Sequence, residues 1–457
     1  MAHLTRAGAP QCEIARPSCV PCQAVLRAQR PQQVQYRRAP FQHTPGWMAA
    51  NERGAARGSE FKRTWPARHI QVAAAKSSAN GSVSEADLPK VGLGAIVGGH
   101  LRWALLIALA VPIWAYQGAL GLLAAIFARD QFFARKDRSG IEYPDPPQFE
   151  HRFIQANGLR FHTVVTGGGR GKPLMLFLHG FPELWYSWRR QLEELADDYE
   201  CVAIDMRGYN LSDKPKGREN YRIDVMTDDI AALVEALGHK RCTLVAHDWG
   251  GTIAWFFAAL HPQAVERLIV CGLPHPIATL ENFGVRQWRR SWYILWYQAP
   301  FLPEWLSLAA DCSFIDRALR TGPHAPRRPG TISDEDLERY KQALTRPGAM
   351  TASLEYYRSL VDRETRAPAP RYLEAKRRLR AGLLPMPVLM LYGGQDAALG
   401  PELVNGTEKY VPDLELHVLD CSHWVQQECW EDTNALMRAW LAKHPAGGRA
   451  SVKAASA

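Results

Sequence analysis

The stretch Leu244–Gly251, LVAHDWGG, runs an apolar strand into a sharp turn and then into a helix. A turn of this kind usually presents a serine, in the pattern G-x-S-x-G. Here the tip residue is Asp248, with Ala246, Gly250 and Gly251 around it, small enough for crowded backbone. A carboxylate is already ionised at neutral pH and can attack carbon without a base. The positive end of the following helix favours that ionised form. An Asp ahead of a helix is also a common N-cap, and this stretch alone does not separate the two roles.

Three further features extend the pattern. His423, in LDCSHW, follows the last predicted strand, where a general base belongs. Asp396, in LYGGQDAAL, follows the strand before it and is suited to orient His423 through Nδ1–H. The loop HGFPE, His179–Glu183, follows the strand LMLFL and offers the Phe181 N–H towards Asp248. With the N–H of Trp249 it would form an oxyanion hole, each donor worth about 3 kcal/mol in a transition state. Phe181 and Trp249 are also the expected substrate-binding side chains. The chain order is nucleophile, acid, histidine.

These residues need a sheet to hold them. From residue 149, HRFIQANGLRFHTVV reads as strand, Asn-Gly turn, strand, and GGGRGK as a hairpin connection rather than a P-loop. Short apolar runs at 201–205, 242–246 and 267–272 alternate with helical patterns, which implies a mostly parallel sheet with helices on both faces. The alternation stops at 273. Residues 273–384 are helical in pattern, rich in Trp and Tyr, and read as a cap over the sheet's carboxyl edge. Strands return at 387–394 and 414–420, with a last helix near 430–442. The core is therefore expected at 149–272 and 385–445, with a tail at 446–457.

The 457-residue chain carries a net charge of +9, but residues 1–75 hold 11 Lys and Arg against Glu13, Glu52 and Glu60. The rest is nearly neutral, which disfavours nucleic-acid binding. The basic, acid-poor segment 1–75 fits an organelle transit peptide, with HIQVAAAK (69–76) as a chloroplast processing neighbourhood. A mitochondrial or endoplasmic reticulum address competes with it. Residues 76–98 read as a linker containing the spacing Gly94-x-x-x-Gly98. A transmembrane helix is expected within 99–128: Trp103–Ala128 carries no charge over 26 residues, although Pro112 and Gln117 weaken it. The alternatives are a monotopic hairpin or an apolar helix packed on the domain. Basic residues follow in a second linker, 129–148. The nine cysteines, Cys12, Cys19 and Cys22 among them, read as mostly reduced thiols. No metal-ligand cluster or dinucleotide fingerprint is present, so no cofactor is expected.

The chain resembles the α/β-hydrolase-fold epoxide hydrolases over residues 150–443. The matching stretches are LMLFLHGFPELWYSWRRQL, AIDMRGYNLSD, LVAHDWGGTIAW, SWYILWYQAPFLPEW, RPGAMTASLEYYRSL and DCSHWVQQE. The apolar span ahead of them makes it most similar to the single-pass, membrane-anchored members. The resemblance implies two cap tyrosines that bind the epoxide oxygen as general acids, Tyr293 and Tyr357, with Tyr297 and Tyr356 as rivals by sequence. One departure is Asn210 in RGYNLSD, where the family usually has Gly; Asn tolerates left-handed backbone.

An epoxide offers a strained sp³ carbon and an oxygen that needs a proton, so a carboxylate nucleophile suits it. The implied sequence is attack by Asp248, a hydroxyalkyl ester, and hydrolysis by water that His423 activates, giving a vicinal diol. An apolar, Trp-rich cap and a membrane segment favour lipophilic epoxides, such as those of fatty acids. A haloalkane dehalogenase of the same fold is the nearest rival, but a halide leaving group has no use for paired tyrosines. A noncatalytic membrane-anchored ligand-binding relative is the rival from another class. Protein partners and oligomeric state are not legible.

Overall fold

A computed structural model describes residues 69–71, 93–169, 171–365 and 369–447. The expected transit-like segment, apart from 69–71, lies outside them, as do most of the first linker and of the tail. Nine strands form one sheet: β1 (His69–Gln71), β2 (Glu150–Ala156), β3 (Leu159–Thr166), β4 (Leu174–Leu178), β5 (Glu200–Ile204), β6 (Cys242–His247), β7 (Val265–Cys271), β8 (Val388–Gly393) and β9 (Leu414–Leu419). The order is β1-β9-β8-β7-β6-β4-β5-β3-β2. Strands β4 to β9 pair in parallel, and β1, β2 and β3 extend the two edges antiparallel.

The central strands are continuous apolar runs because both faces are covered. All residues of β4, β6 and β8 are buried. Sheets covered by helices on both sides carry this pattern rather than alternation. The core helices are α3 (Arg189–Leu195), α4 (Ile223–Ala236), α5 (Trp249–Leu260), α13 (Val425–Glu428) and α14 (Trp430–Lys443). They fall into two contact groups, α4 with α5 and α3 with α14. Asn157 and Gly158 both take positive φ, +46° and +73°, at the β2–β3 turn, as an Asn-Gly hairpin requires.

Two expectations need correction. The glycine loop after β3 is not a hairpin connection, because β5 lies between β3 and β4 and pairs with both. The apolar helix begins earlier than 99: α1 runs from Leu93 to Phe127 and continues through Pro112. The first linker therefore ends in helix, and Gly94 and Gly98 fall within it. A short helix, α2 (Arg129–Phe132), opens the second linker. On the described part of α1, Gly118 and Gly121 lie close to Leu302 and Leu306. The stretch His69–Gln71, expected near a processing point, pairs with β9 at the sheet edge.

The cap lies between β7 and β8 and consists of α6 (Pro276–Glu281), α7 (Val285–Arg290), α8 (Trp292–Trp296), α9 (Leu302–Asp316), α10 (Asp334–Thr345), α11 (Ala349–Thr365) and α12 (Pro370–Arg380). Helix α9 is kinked at Ala309–Cys312, and α10 opens on a capping box between Ser333 and Asp336. The six described cysteines are free and buried.

Candidate active site

The end of β6 decides what Asp248 is. Its backbone is forced to φ +49°, ψ −117°, a conformation that a side-chain-bearing residue rarely adopts, and its carboxylate makes no capping hydrogen bond to α5. The N-cap role is therefore not the one it fills. The glycines around it are required by space. A Cβ at Gly250 would lie 2.4 Å from the Leu178 carbonyl oxygen, and one at Gly180 2.4 Å from the Asp248 Cβ. Backbone strain and bare glycines together push the carboxylate out of the helix and over the sheet edge.

The carboxylate meets two groups there. The Phe181 N–H donates to Asp248 Oδ1 at 2.8 Å. His423 Nε2 lies 3.6 Å from Asp248 Oδ2. The Trp249 N–H is at the first position of α5, where helices leave donors free, and makes no hydrogen bond to Asp248; only one of the two expected donors is engaged in this state. Across the imidazole, His423 Nδ1–H donates to Asp396 Oδ2 at 2.7 Å. The other oxygen of Asp396 accepts the N–H groups of Ala398 and Leu399 at 2.7 and 2.8 Å, which fixes the carboxylate.

The charges reinforce one another. Burial pushes the Asp248 carboxyl up, but the hydrogen bond and charge of His423, the His247 ring and the Phe181 N–H outweigh it and hold it below the usual carboxylate range. Burial acts to lower His423, and the carboxylates of Asp396 and Asp248 overcome this and raise it well above the usual histidine value. At rest the site is an imidazolium between two carboxylates.

The cap supplies the aromatic ceiling. Tyr293 on α8 and Tyr357 on α11 have ring centroids 5.9 Å apart, and Tyr357 stands edge-on to Trp249 at 4.9 Å and to Phe181 at 5.4 Å. Burial and the nearby Asp248 charge push both phenols up, so both are neutral donors at physiological pH. The rivals differ. Tyr356 donates its hydroxyl to the Arg207 carbonyl at 2.7 Å and faces the core. Tyr297 is raised by burial alone, without a contribution from Asp248, and packs against Tyr357 at 4.9 Å. Arg358 sets this register: its guanidinium binds Glu304 and the carbonyls of Tyr297 and Ala299.

The α/β hydrolase fold family matches residues 173–428. Epoxide hydrolase 1 of Caenorhabditis elegans is 39% identical over 300 residues, 65% of this chain and 71% of the relative. Human epoxide hydrolase 4 is 36% identical over 304 residues, 65% of this chain and 80% of the relative. The crystal structure of a Bacillus megaterium epoxide hydrolase in complex with an inhibitor superposes with a TM-score of 0.55 at 33% identity, over 64% of this chain and all of that one. The chain belongs to the epoxide hydrolases of the α/β-hydrolase fold.

This epoxide hydrolase holds further polar groups that sequence reasoning missed. Glu183, fully buried, accepts from His247 Nδ1–H at 2.7 Å, from the Gly180 N–H at 3.1 Å, and from Gln426 and Gln427 at 2.9 Å each. The other His247 nitrogen lies 3.0 Å from the His423 carbonyl oxygen. Both ring nitrogens of His247 thus face oxygen acceptors. This hydrogen-bonded pair ties the HGFPE loop to the backbone of His423. Glu183 at the end of HGFPE and His247 beside Asp248 were visible, but their pairing spans 64 residues. The hydrolase also uses its unusual Asn210. At φ +39° it keeps the turn, and its side chain donates to Asp205 and accepts from Arg346, each at 2.8 Å, linking core to cap.

Proposed function

We propose that this epoxide hydrolase opens lipophilic epoxides through an ester on Asp248. The observation that carries the mechanism is the asymmetry of that carboxylate. Oδ1 is held by the Phe181 N–H and Oδ2 faces the open side with His423. In the first step Oδ2 attacks the epoxide carbon, the C–O bond breaks, and Tyr293 or Tyr357 gives its proton to the leaving oxygen. Oδ1 becomes the ester carbonyl oxygen. The imidazolium proton of His423 then passes to that phenolate and leaves the ring neutral, and in the second step His423, steadied by Asp396, takes a proton from water, which attacks the ester carbon. The Phe181 N–H, and the free Trp249 N–H, stabilise the oxyanion. Collapse expels the diol oxygen, which takes the proton of the re-formed Asp248 carboxyl, and the diol leaves the imidazolium between its two carboxylates again.

Tyr293→Phe and Tyr357→Phe test the acid role. Each is expected to slow ester formation by roughly 10²-fold, and the double variant more, because alkoxide departure then lacks its donors. Single-turnover kinetics with a water-soluble epoxide read this step. Tyr356→Phe leaves it unchanged, since that hydroxyl faces Arg207.

The expectation of lipophilic substrates, fatty-acid epoxides among them, is supported by the aromatic cap over Asp248. A related Bacillus megaterium enzyme, 34% identical, has been crystallised with its product (R)-3-[1]naphthyloxy-propane-1,2-diol. Membrane anchoring is supported by Ala104–Phe127, a helix long and apolar enough to cross a bilayer. The chloroplast membrane is the proposed location, on the composition of residues 1–75. Import of the full chain into isolated chloroplasts, with mitochondria and microsomes in parallel, tests it; uptake by another organelle alone would refute it.

A further inference from the structure

One face of α1 is packed and the other is not. Ala110, Trp114, Gly118 and Gly121 recur every third or fourth residue on the less exposed side. That side meets α8, α9 and α11 of the cap. The Trp114 indole N–H donates to the Leu295 carbonyl at 2.9 Å, and Gly118 and Gly121 admit Leu302 and Leu306. The opposite side, with Leu105, Leu109, Tyr116, Leu123 and Ile126, is exposed and uncharged. A helix on the surface of a water-soluble domain is polar on its outer face.

The chain after α1 holds it in place. Arg138 pairs with Asp311 at 2.6 Å and with Glu338 at 3.1 Å, and Arg339 of the cap pairs with Asp145 at 2.7 Å. The cap therefore lies along α1. The cap segment beside it is dressed accordingly. Val285, Trp288, Trp292, Phe301 and Trp305 are exposed, Phe301 by 82%. Arg286 and Arg289 are exposed among them. Tryptophan with arginine is the composition of a headgroup-level surface, and arginine there favours anionic lipid. A second copy seated on this face by a twofold axis would bring the arginines of the two chains together.

We propose that α1 and cap residues 285–305 form one surface that seats the catalytic domain on a bilayer carrying anionic headgroups, with α1 lying along the cap rather than crossing by itself. This rests on the membrane reading above and deepens it. Helix α8 then joins the two functions: Trp292 faces lipid and the next residue, Tyr293, faces the site. A lipid-dissolved epoxide meets the cap at the helix that carries its proton donor.

The test uses the full chain with Cys12, Cys19 and Cys22 changed to Ser, reconstituted with phosphatidylglycerol or phosphatidylcholine vesicles. A fluorophore is placed through Trp288→Cys, Phe301→Cys or, on the core helix α4, Glu235→Cys. Shallow spin-labelled lipids are expected to quench the first two and spare the third. Equal quenching at all three, or a mass increase showing dimerisation with no quenching, overturns the proposal. In the parent chain, Arg286→Glu with Arg289→Glu is expected to raise KM for an epoxide dissolved in phosphatidylglycerol vesicles by roughly tenfold, with kcat and KM for a water-soluble epoxide unchanged. An unchanged vesicle KM overturns it. Failure to turn over the soluble epoxide in the parent chain would sink the catalytic reading instead, and the quenching would still decide the surface.

Discussion

Asp248→Ala is expected to abolish diol formation, lowering kcat by roughly 10⁴-fold or more, the scale on which removal of a covalent nucleophile is felt. The side chain makes no capping bond to α5, and its contacts lie within the site itself, with the Phe181 N–H and His423. Melting temperature should hold or fall slightly, because the Phe181 N–H and His423 lose a partner, and a folded variant separates that from the loss of chemistry. A sharper measurement follows the oxygen. In a single turnover in heavy-oxygen water, the first diol should carry an unlabelled oxygen from Asp248, and label should enter the carboxylate. Label in the first-turnover diol would mean direct attack by water and would refute the ester.

His423→Gln should separate the two steps. Ester formation needs only an ionised Asp248 and a phenol, whereas hydrolysis needs a base on the open side of the carboxylate. We expect stoichiometric ester, seen as an adduct mass on the peptide containing Asp248, with turnover slowed by roughly 10³-fold. An unmodified peptide with turnover intact would remove His423 from the mechanism. Wild-type enzyme should approach this behaviour in acid. Two carboxylates hold His423 protonated at rest, against the effect of burial. Ester formation removes the Asp248 charge, so the imidazolium loses one partner, its pKa falls, and it releases a proton when a base is needed. As pH drops through the lowered value, the proton returns and hydrolysis stops. Asp248, held below the usual carboxylate range, remains ionised and continues to react. The ester should accumulate at low pH and clear on return to neutral pH, which rapid quench and mass measurement will show.

The buried hydrogen-bonded pair behind the site suggests why this cycle can run without moving the backbone. His247 and Glu183 pair at 2.7 Å and hold the HGFPE loop and the His423 carbonyl together. The Phe181 N–H and the base therefore sit on one frame, which a change of charge on Asp248 does not release.

Much of this chemistry was legible along the chain because it depends on local features. A sharp strand-to-helix turn needs small neighbours, and strand ends recur in a fixed order, so the meeting of Asp248, Asp396 and His423 could be expected from sequence. The cap was legible as a break in the β-α alternation. Choosing between Tyr356 and Tyr357 needed more than spacing, since adjacent helix residues differ by about 100° of rotation. The resemblance favoured Tyr357, but the physical reason is Arg358 bound to Glu304, a contact 54 residues away. The same holds elsewhere. Hydropathy marked the uncharged span after Trp103 as long enough to cross a bilayer, and cannot say what a helix leans on. Only the tertiary structure showed one face of α1 against the cap and the other bare. Likewise, sequence showed that Asn210 would keep its turn, while its bond to Arg346 lies across a gap of 136 residues. Backbone conformation and hydrophobic pattern are written locally. Which polar side chains pair, and which apolar faces are left bare, depends on elements that meet only after folding.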